Sequence, residues 1–389
     1  MIAFISTRVR QLPRPGFLNR SFAETFPRLY LGIVTLVAIT GYAYILMYPV
    51  LFLAGVIAVY SSLTSSGAID YPRLITWAVV VLVSGLVSYR SLRFRPVYPV
   101  GLAPSGDKAP ELFSLVRQLR SHYRRPAIDR IVITGNYELD IVRTPRLALP
   151  VWLSNTLVIG LPVMQCLSPA QFECLLAGRL GQFSMRYNRF SNWLYQHRAI
   201  WQQYRVSYRR QSGFGVEPLR WFFAAYAPFY SAVSIRAARQ DRLSADTYSM
   251  QLFNDEQVRE MITADSLCRW YIDKQYWPAV YKLASASPKA LPAPHMKMAA
   301  AAYTQLNGEK RQSLMKKAAG HTPSSKDTAP SLSARIKNIG HDKARMGSPA
   351  SETAAARYLG NSMKSVIVLI DKLWQKSYVQ RRKRQNRKR

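Results

Sequence analysis

Residues 157–183 read LVIGLPVMQCLSPAQFECLLAGRLGQF, and the order of signals within them decides the fold. Thr156 to Gly160 reads as a short apolar strand. After an apolar turn, Ser168-Pro169-Ala170-Gln171 opens a helix. The serine can cap, the proline suits the first turn, and the glutamine three residues on completes a capping box. The helix then runs through Gly178 and Gly181 towards Met185. A strand feeding a capped helix predicts a mixed globular domain.

Outward from this stretch, Ala109 to Tyr123 is amphipathic, with Leu112, Leu115, Val116 and Leu119 on one face of a helix. Ile128 to Thr134 reads as another short strand. Trp221 to Ile235 is apolar and aromatic, is broken by Pro228, and is short for a membrane span. It is expected to pack in the core or lie at an interface. Helices are expected over 236–253 and 255–286. Gly308 to Met346 is rich in Lys, Ser, Gly and Pro and reads as a partly mobile basic linker. Helical periodicity returns over 353–374, and no internal repeat is present.

Charge and hydropathy supply the remaining frame. Fifty-four Lys and Arg against 21 Asp and Glu leave a formal charge of +33. A metabolic enzyme has no need of such an excess, which points to an anionic partner, either nucleic acid or a membrane face. Leu31 to Tyr60 and Leu74 to Leu92 are almost continuously apolar. A bilayer core of about 30 Å needs roughly 20 helical residues, so both can span. The first is longer than needed and must tilt, kink near Pro49 or project beyond the lipid. Neither looks like a cleaved signal. Arg8, Arg10, Arg14, Arg20 and Arg28 precede the first run, and Arg90, Arg93 and Arg95 follow the second. The intervening loop carries only Arg73, so the positive-inside rule places both termini in the cytoplasm. A multi-pass protein of the bacterial inner membrane is expected, with each cation near the anionic leaflet contributing about 1 kcal/mol. Cys166, Cys174 and Cys268 follow no metal spacing and fit a reducing compartment.

Four stretches, taken in order, resemble the HtpX-like membrane zinc metallopeptidases, relatives of the CAAX prenyl proteases. Residues 157–183 are similar to that family's strand, turn and H-E-x-x-H helix. Residues 239–246 (RQDRLSAD) resemble its E-x-x-A-D helix. Residues 327–335 (DTAPSLSAR) resemble its T-H-P-S-L-x-x-R segment, and 354–360 (AAARYLG) its A-A-x-x-L-G ending. The resemblance implies a gluzincin-like metallopeptidase domain, mainly α with a small β-sheet, behind an N-terminal transmembrane helical hairpin. The implied organisation is a basic arm (1–30), the hairpin (31–92), the metallopeptidase-like domain (96–307), the linker (308–346), a C-terminal helical part (347–375) and a polybasic tail (376–389).

The chemistry implied by the resemblance is missing. Two histidines one helical turn apart would bind zinc while a glutamate between them activates water. Here Gly178 and Gln182 stand at the histidines and Arg179 at the general base. Arg242 stands at the third ligand, and Ala329 replaces the histidine before Pro330. Glycine has no ligand atom, an amide is a poor zinc donor, and arginine beside Zn²⁺ adds repulsion. No catalytic or metal-binding residue is therefore assigned, and no cofactor is expected. His122, His197, His295, His321 and His341 form no pair at ligand spacing, and no nucleophile motif is present. Cys174 reads as a core cysteine and Asp241 as a helix-surface carboxylate.

Arg179, Arg242, Asp246 and Arg335 are the candidate anion- or peptide-binding residues. Asp246 lies one turn from Arg242 and can pair with it, in which case the charges hold two helices together. Otherwise Arg179 and Arg242 form an anion pocket. If Thr156 to Gly160 keeps an exposed edge, it can bind extended peptide. Arg381, Arg382, Lys383, Arg384, Arg387, Lys388 and Arg389 form the polybasic end, with no aromatic residue among them. The expected partners are an anionic inner leaflet and a peptide, membrane protein or active relative. The expected function is that of a catalytically inactive, membrane-anchored peptidase-like protein acting by binding. Two alternatives are an active metalloendopeptidase with a relocated zinc site and a membrane tether for nucleic acid through the tail.

Overall fold

The structure is a computed structural model describing residues 25–65, 70–123, 127–146, 152–184, 189–287, 290–307, 311–321, 328–347 and 351–386. Arg8, Arg10, Arg14 and Arg20 of the basic arm lie outside the described residues, as do Arg387, Lys388 and Arg389. The chain is mainly helical with one small sheet, and two of its helices are long and apolar enough to cross a membrane.

Those two, α1 (Pro27–Thr64) and α2 (Tyr71–Leu92), pack on each other as a hairpin. They lead to α3 (Pro110–His122), the strands β1 (Arg130–Thr134), β2 (Leu139–Pro145) and β3 (Leu153–Gly160), and the short α4 (Leu161–Cys166). The middle of the chain forms α5 (Pro169–Phe183), α6 (Arg189–Arg210), α7 (Glu217–Val233), α8 (Ile235–Ser249) and α9 (Asp255–Tyr271). A π-turn (Ile272–Tyr276) joins α9 to α10 (Trp277–Ala286). The last elements are α11 (Pro294–Asn307), α12 (Arg311–Ala319), α13 (Leu332–Asn338), α14 (Ala354–Leu359) and α15 (Met363–Asn386).

The expected kink near Pro49 of α1 is absent. The helix is continuous through Pro49, and its 38 residues measure about 57 Å against about 30 Å of hydrocarbon. Tyr30, Val34, Ala38, Gly41 and Ile45 recur on one face and are buried against α6 and α7. Beyond Ile45 the only buried position of α1 is Gly55. The first half of α1, as far as Tyr48, therefore belongs to a protein core, and further along Gly55 lies against Val81 of α2. That core is aromatic: Trp201, Tyr204, Tyr208, Phe223 and Tyr230 are fully enclosed. Segment 221–235 packs here, because α7 runs through Pro228 and buries Phe223, Ala227 and Tyr230.

The second core surrounds α5. Its entry is the capping box read from the sequence, with Gln171 N donating to Ser168 Oγ and Ser168 N to Gln171 Oε1, both at 3.2 Å. Every residue from Cys174 to Phe183 is buried, so beyond its first turn α5 has no solvent face. It packs on α8, α9, α14 and β2.

The sheet order is β1-β3-β2, with β1 parallel and β2 antiparallel to β3. This overturns the exposed-edge expectation for Thr156 to Gly160, because β3 is central and paired on both sides. The strand that closes it, β2, is masked in the sequence by Asp140 and Arg143 within an otherwise apolar run. The outer side of β2 is faced by α6, where Gln203 Nε2 donates to the Arg143 carbonyl at 3.0 Å. The linker expectation also changes. Much of 308–346 is helical, and Leu314, Ala318, Leu332 and Ile336 are buried in the α5 core.

Candidate functional site

Helices α5 and α8 bring together Gly178, Arg179, Gln182 and Arg242, the residues that the resemblance aligns with a metal centre. Their closest approach is at Gly178, where a Cβ atom would lie 2.5 Å from the Ala245 carbonyl oxygen and would also meet Ser249 Oγ. Ser249 Oγ itself donates to the Cys174 carbonyl across the helix pair at 2.9 Å. The volume that an imidazole would need at position 178 is thus filled by the backbone of α8. Cys174 is enclosed in the same contact, and burial pushes its thiol up to about 12.

One turn further along α5, polar groups enter a closed environment and find partners within it. Arg179 is 7% exposed and donates from Nη1 to Gln182 Oε1 at 3.1 Å. Its Nε has no partner among the described residues. Burial, then the nearby charge of Arg242, lowers the Arg179 pKa to about 10. Gln182 Nε2 donates to Asp241 Oδ2 on α8. Asp241 is 1% exposed, which corrects its reading as a surface carboxylate. Its helix position faces α5, and burial raises its pKa to about 6.

Arg242 does not pair with Asp246. It donates from Nη2 to Asp140 Oδ2 at 2.6 Å and to Tyr195 Oη at 2.8 Å. Tyr195 in turn donates to Asp140 Oδ2 at 2.7 Å, closing a triangle between α8, α6 and β2. Burial alone would lower the Arg242 pKa, but Asp140 and Tyr195 outweigh it and hold it above its ordinary value.

Asp246 meets the residue furthest from it among the candidates. Arg335 forks onto Asp246, Nε to Oδ2 at 2.9 Å and Nη2 to Oδ1 at 2.7 Å. Its remaining nitrogen, Nη1, reaches Asp265 Oδ2 at 2.6 Å. Burial would raise Asp265, yet Arg269 and Arg335 outweigh it and hold its pKa at about 2. All three of these side chains are buried. Arg335 therefore has its donors committed to two carboxylates and offers none to an external anion.

The four candidates thus fall into two internally paired clusters, Arg179 and Arg242 in one, Asp246 and Arg335 in the other. Neither is an open pocket. A catalytic zinc requires about three nitrogen, oxygen or sulfur ligands around one open position. Gly178, Arg179, Gln182 and Arg242 do not fit that requirement: one has no side chain, two are cations, and the amide is engaged by Asp241. Ala329 contributes no donor side chain.

Two further groups were missed by the sequence reading. His295 is buried with Nδ1 2.7 Å from Asp371 Oδ1 and Nε2 2.9 Å from the Gly135 carbonyl. Asp371 also accepts from the amides of His295 and Met296, fixing the start of α11, so this histidine is structural. The second group is a cleft of about 660 Å³ lined by Tyr281, Ser285, Tyr378, Arg381, Arg382 and Gln385, with Asn386 at its end. Residues 381–386 are helical, as the end of α15. The aromatic neighbour absent from the basic tail is supplied by α10, more than ninety residues earlier: Tyr281 stacks on Tyr378 with ring centroids 6.3 Å apart.

Compared with known proteins, the chain matches no described family, no curated protein and no solved structure.

Asp241 gives this site a pH signature. Its folded pKa of about 6 lies above its unfolded value of about 4, so the folded state holds the proton more tightly. The stability contributed is complete below pH about 4 and is lost as pH rises through about 6. Asp241→Asn keeps the Gln182 contact without the charge. It should raise stability at pH 7 by up to about 3 kcal/mol, with the gain vanishing towards pH 4. Thermal unfolding in detergent at a series of pH values measures this.

Proposed function

We propose that the chain is a membrane-anchored pseudopeptidase, an HtpX-like metallopeptidase scaffold that binds and does not hydrolyse. The observation carrying this reading is the α5–α8 contact at Gly178, which occupies the space of the first metal ligand. The arrangement of three of the four resembling stretches adds support. Residues 168–183, 239–246 and 327–335 are far apart in the chain, yet α5 packs on α8 and Arg335 reaches Asp246. A scaffold keeps such contacts after its chemistry is gone, because an unpaired buried charge costs several kcal/mol.

In this reading α1 and α2 anchor the protein in a bacterial inner membrane with both termini cytoplasmic. The first partner is the anionic inner leaflet, and the cationic surface serves as the contact. A protein or peptide partner, including an active relative, is held on the outside of the scaffold, since the β3 edge and the arginine clusters are occupied internally. The test is incubation of the purified protein in detergent with a mixed-sequence peptide library and zinc, followed by mass spectrometry. No cleavage above a protein-free control is expected, with or without a chelator. Chelator-sensitive cleavage at defined bonds would restore the active-protease alternative.

A second reading, a tether for single-stranded nucleic acid, is favoured by the cleft at Tyr281 and Tyr378. Aromatic rings beside Arg381 and Arg382 combine a stacking platform with phosphate-binding charge. It requires that binding of a labelled single-stranded RNA, followed by anisotropy, fall steeply with salt. It also requires that Arg381→Glu with Arg382→Glu abolish that binding, and unchanged binding in this variant would remove the reading.

A further inference from the structure

The loop between α6 and α7 presents an arrangement that the core does not explain. Phe214 stands at its tip, 87% exposed, between two glycines in the left-handed region, Gly213 at φ +107° and Gly215 at φ +81°. Any other residue at those two positions would be strained. The loop is nevertheless firmly held. Arg90 Nε donates to the Phe214 carbonyl at 3.0 Å, and Arg220 Nη2 donates to the Gln211 carbonyl at 2.7 Å. Gln211 Nε2 donates to the Arg93 carbonyl at 3.3 Å. Gly215 lies against the Leu86 side chain. A rigid turn thus fixes a large apolar ring in an exposed position.

Where the turn is fixed matters more. Leu86, Arg90 and Arg93 belong to the last two turns of α2 and the residue after it. The 22 residues of α2 measure about 33 Å, close to the thickness of a bilayer core. If α2 spans, its C-terminal turn lies at one surface of the hydrocarbon, and Phe214 lies at that level with it. The same end carries other exposed aromatic and apolar groups: Tyr89, Leu92 and, on the first turns of α7, Trp221 at 72% exposure. Arg93 lies over the Tyr89 ring, 4.6 Å from its centroid. Arg209 and Arg210, at the end of α6 just before the turn, are exposed.

Aromatic rings with cations at a single level are the composition of a membrane–water boundary. A single exposed Phe is unremarkable, but a clamped set continuous with a lipid-sized apolar hairpin defines a surface. Cytoplasmic solvent does not account for it, because the fold spends two strained glycine positions on holding the ring outward.

We propose that the α6–α7 turn is a third membrane contact, which enters the leaflet but does not cross it. Phe214 and Trp221 insert at the boundary between headgroups and acyl chains, beside Tyr89 and Leu92. Arg90, Arg93, Arg209 and Arg210 meet the phosphates of anionic lipids. The contact sets the angle of the globular part to the bilayer, because the turn is bonded both to α2 and, through Arg220, to α7. This inference rests on the reading that α1 and α2 span.

The experiment places a photoreactive benzoylphenylalanine in the full-length protein, one position at a time, in vesicles of phosphatidylcholine and phosphatidylglycerol. Position 214 tests the turn. Position 82 tests the span, since Leu82 is 71% exposed in the middle of α2. Position 303, an exposed tyrosine on α11, reports the aqueous phase. After irradiation, lipid adducts are read by mass spectrometry. Adducts at 214 and 82 with none at 303 are expected. An adduct at 82 without one at 214 overturns the third contact and leaves the span intact. No adduct at either position overturns the span and the contact with it. Because the Phe214 side chain touches little protein, thermal unfolding of the position-214 protein should match the parent and exclude misfolding as the cause.

Discussion

A helix segment buried on every side must satisfy its polar groups from its neighbours, and residues 174–183 of α5 impose that constraint on the globular part. Its Gly178 lets α8 approach to backbone contact, and the approach leaves no room for a side chain at that position. Arg179 and Gln182 then need internal partners, and Gln182 takes Asp241. With Asp241 engaged there, Arg242 turns to Asp140 and Tyr195, which ties α8 to the sheet and to α6. The same geometry leaves Asp246 to Arg335, drawing 328–338 into the core. One close helix contact therefore propagates into two charge clusters, each neutralised by its own members.

Much of the architecture was legible in the sequence. The hairpin follows from uninterrupted hydropathy, and the start of α5 follows from Ser168 and Gln171, whose capping chemistry is local. What stayed hidden depends on partners far along the chain. Asp241 reads as a surface residue from its own helix, and only the presence of α5 across from it makes it buried. Asp246 has an arginine one turn away, and helix geometry alone makes that pairing attractive. The bidentate fit of Arg335, 89 residues later, is stronger. β2 was missed because its charged residues turn inward: Asp140 pairs with Arg242 of α8, and the Arg143 guanidinium lies over the Phe183 ring of α5, 4.6 Å from its centroid. The candidate anion pocket disappeared for the same reason, since every cation assigned to it has an internal role.

The two halves of the molecule divide the work. The part around α6, α7 and the first half of α1 is aromatic and continuous with the apolar hairpin, and in the proposed reading it is the part that faces the bilayer. The part around α5 and the sheet is held by two clusters of buried ion pairs and hydrogen bonds, which the proposed reading places where a peptidase scaffold would carry its metal. The proposed binding function therefore falls to the surfaces: the cationic α15, the exposed Phe214 turn and the outer faces of the globular part.

In the proposed reading, side chains and backbone fill the place that a metal would take between α5 and α8. Zinc stoichiometry measures this most directly: purified, untagged protein in detergent is equilibrated with zinc, freed of loosely bound metal and analysed by mass spectrometry. The account predicts far less than one zinc per chain, unchanged when Arg179 or Arg242 is replaced by alanine. One tightly held zinc per chain would contradict it and place a working metal centre elsewhere in the protein.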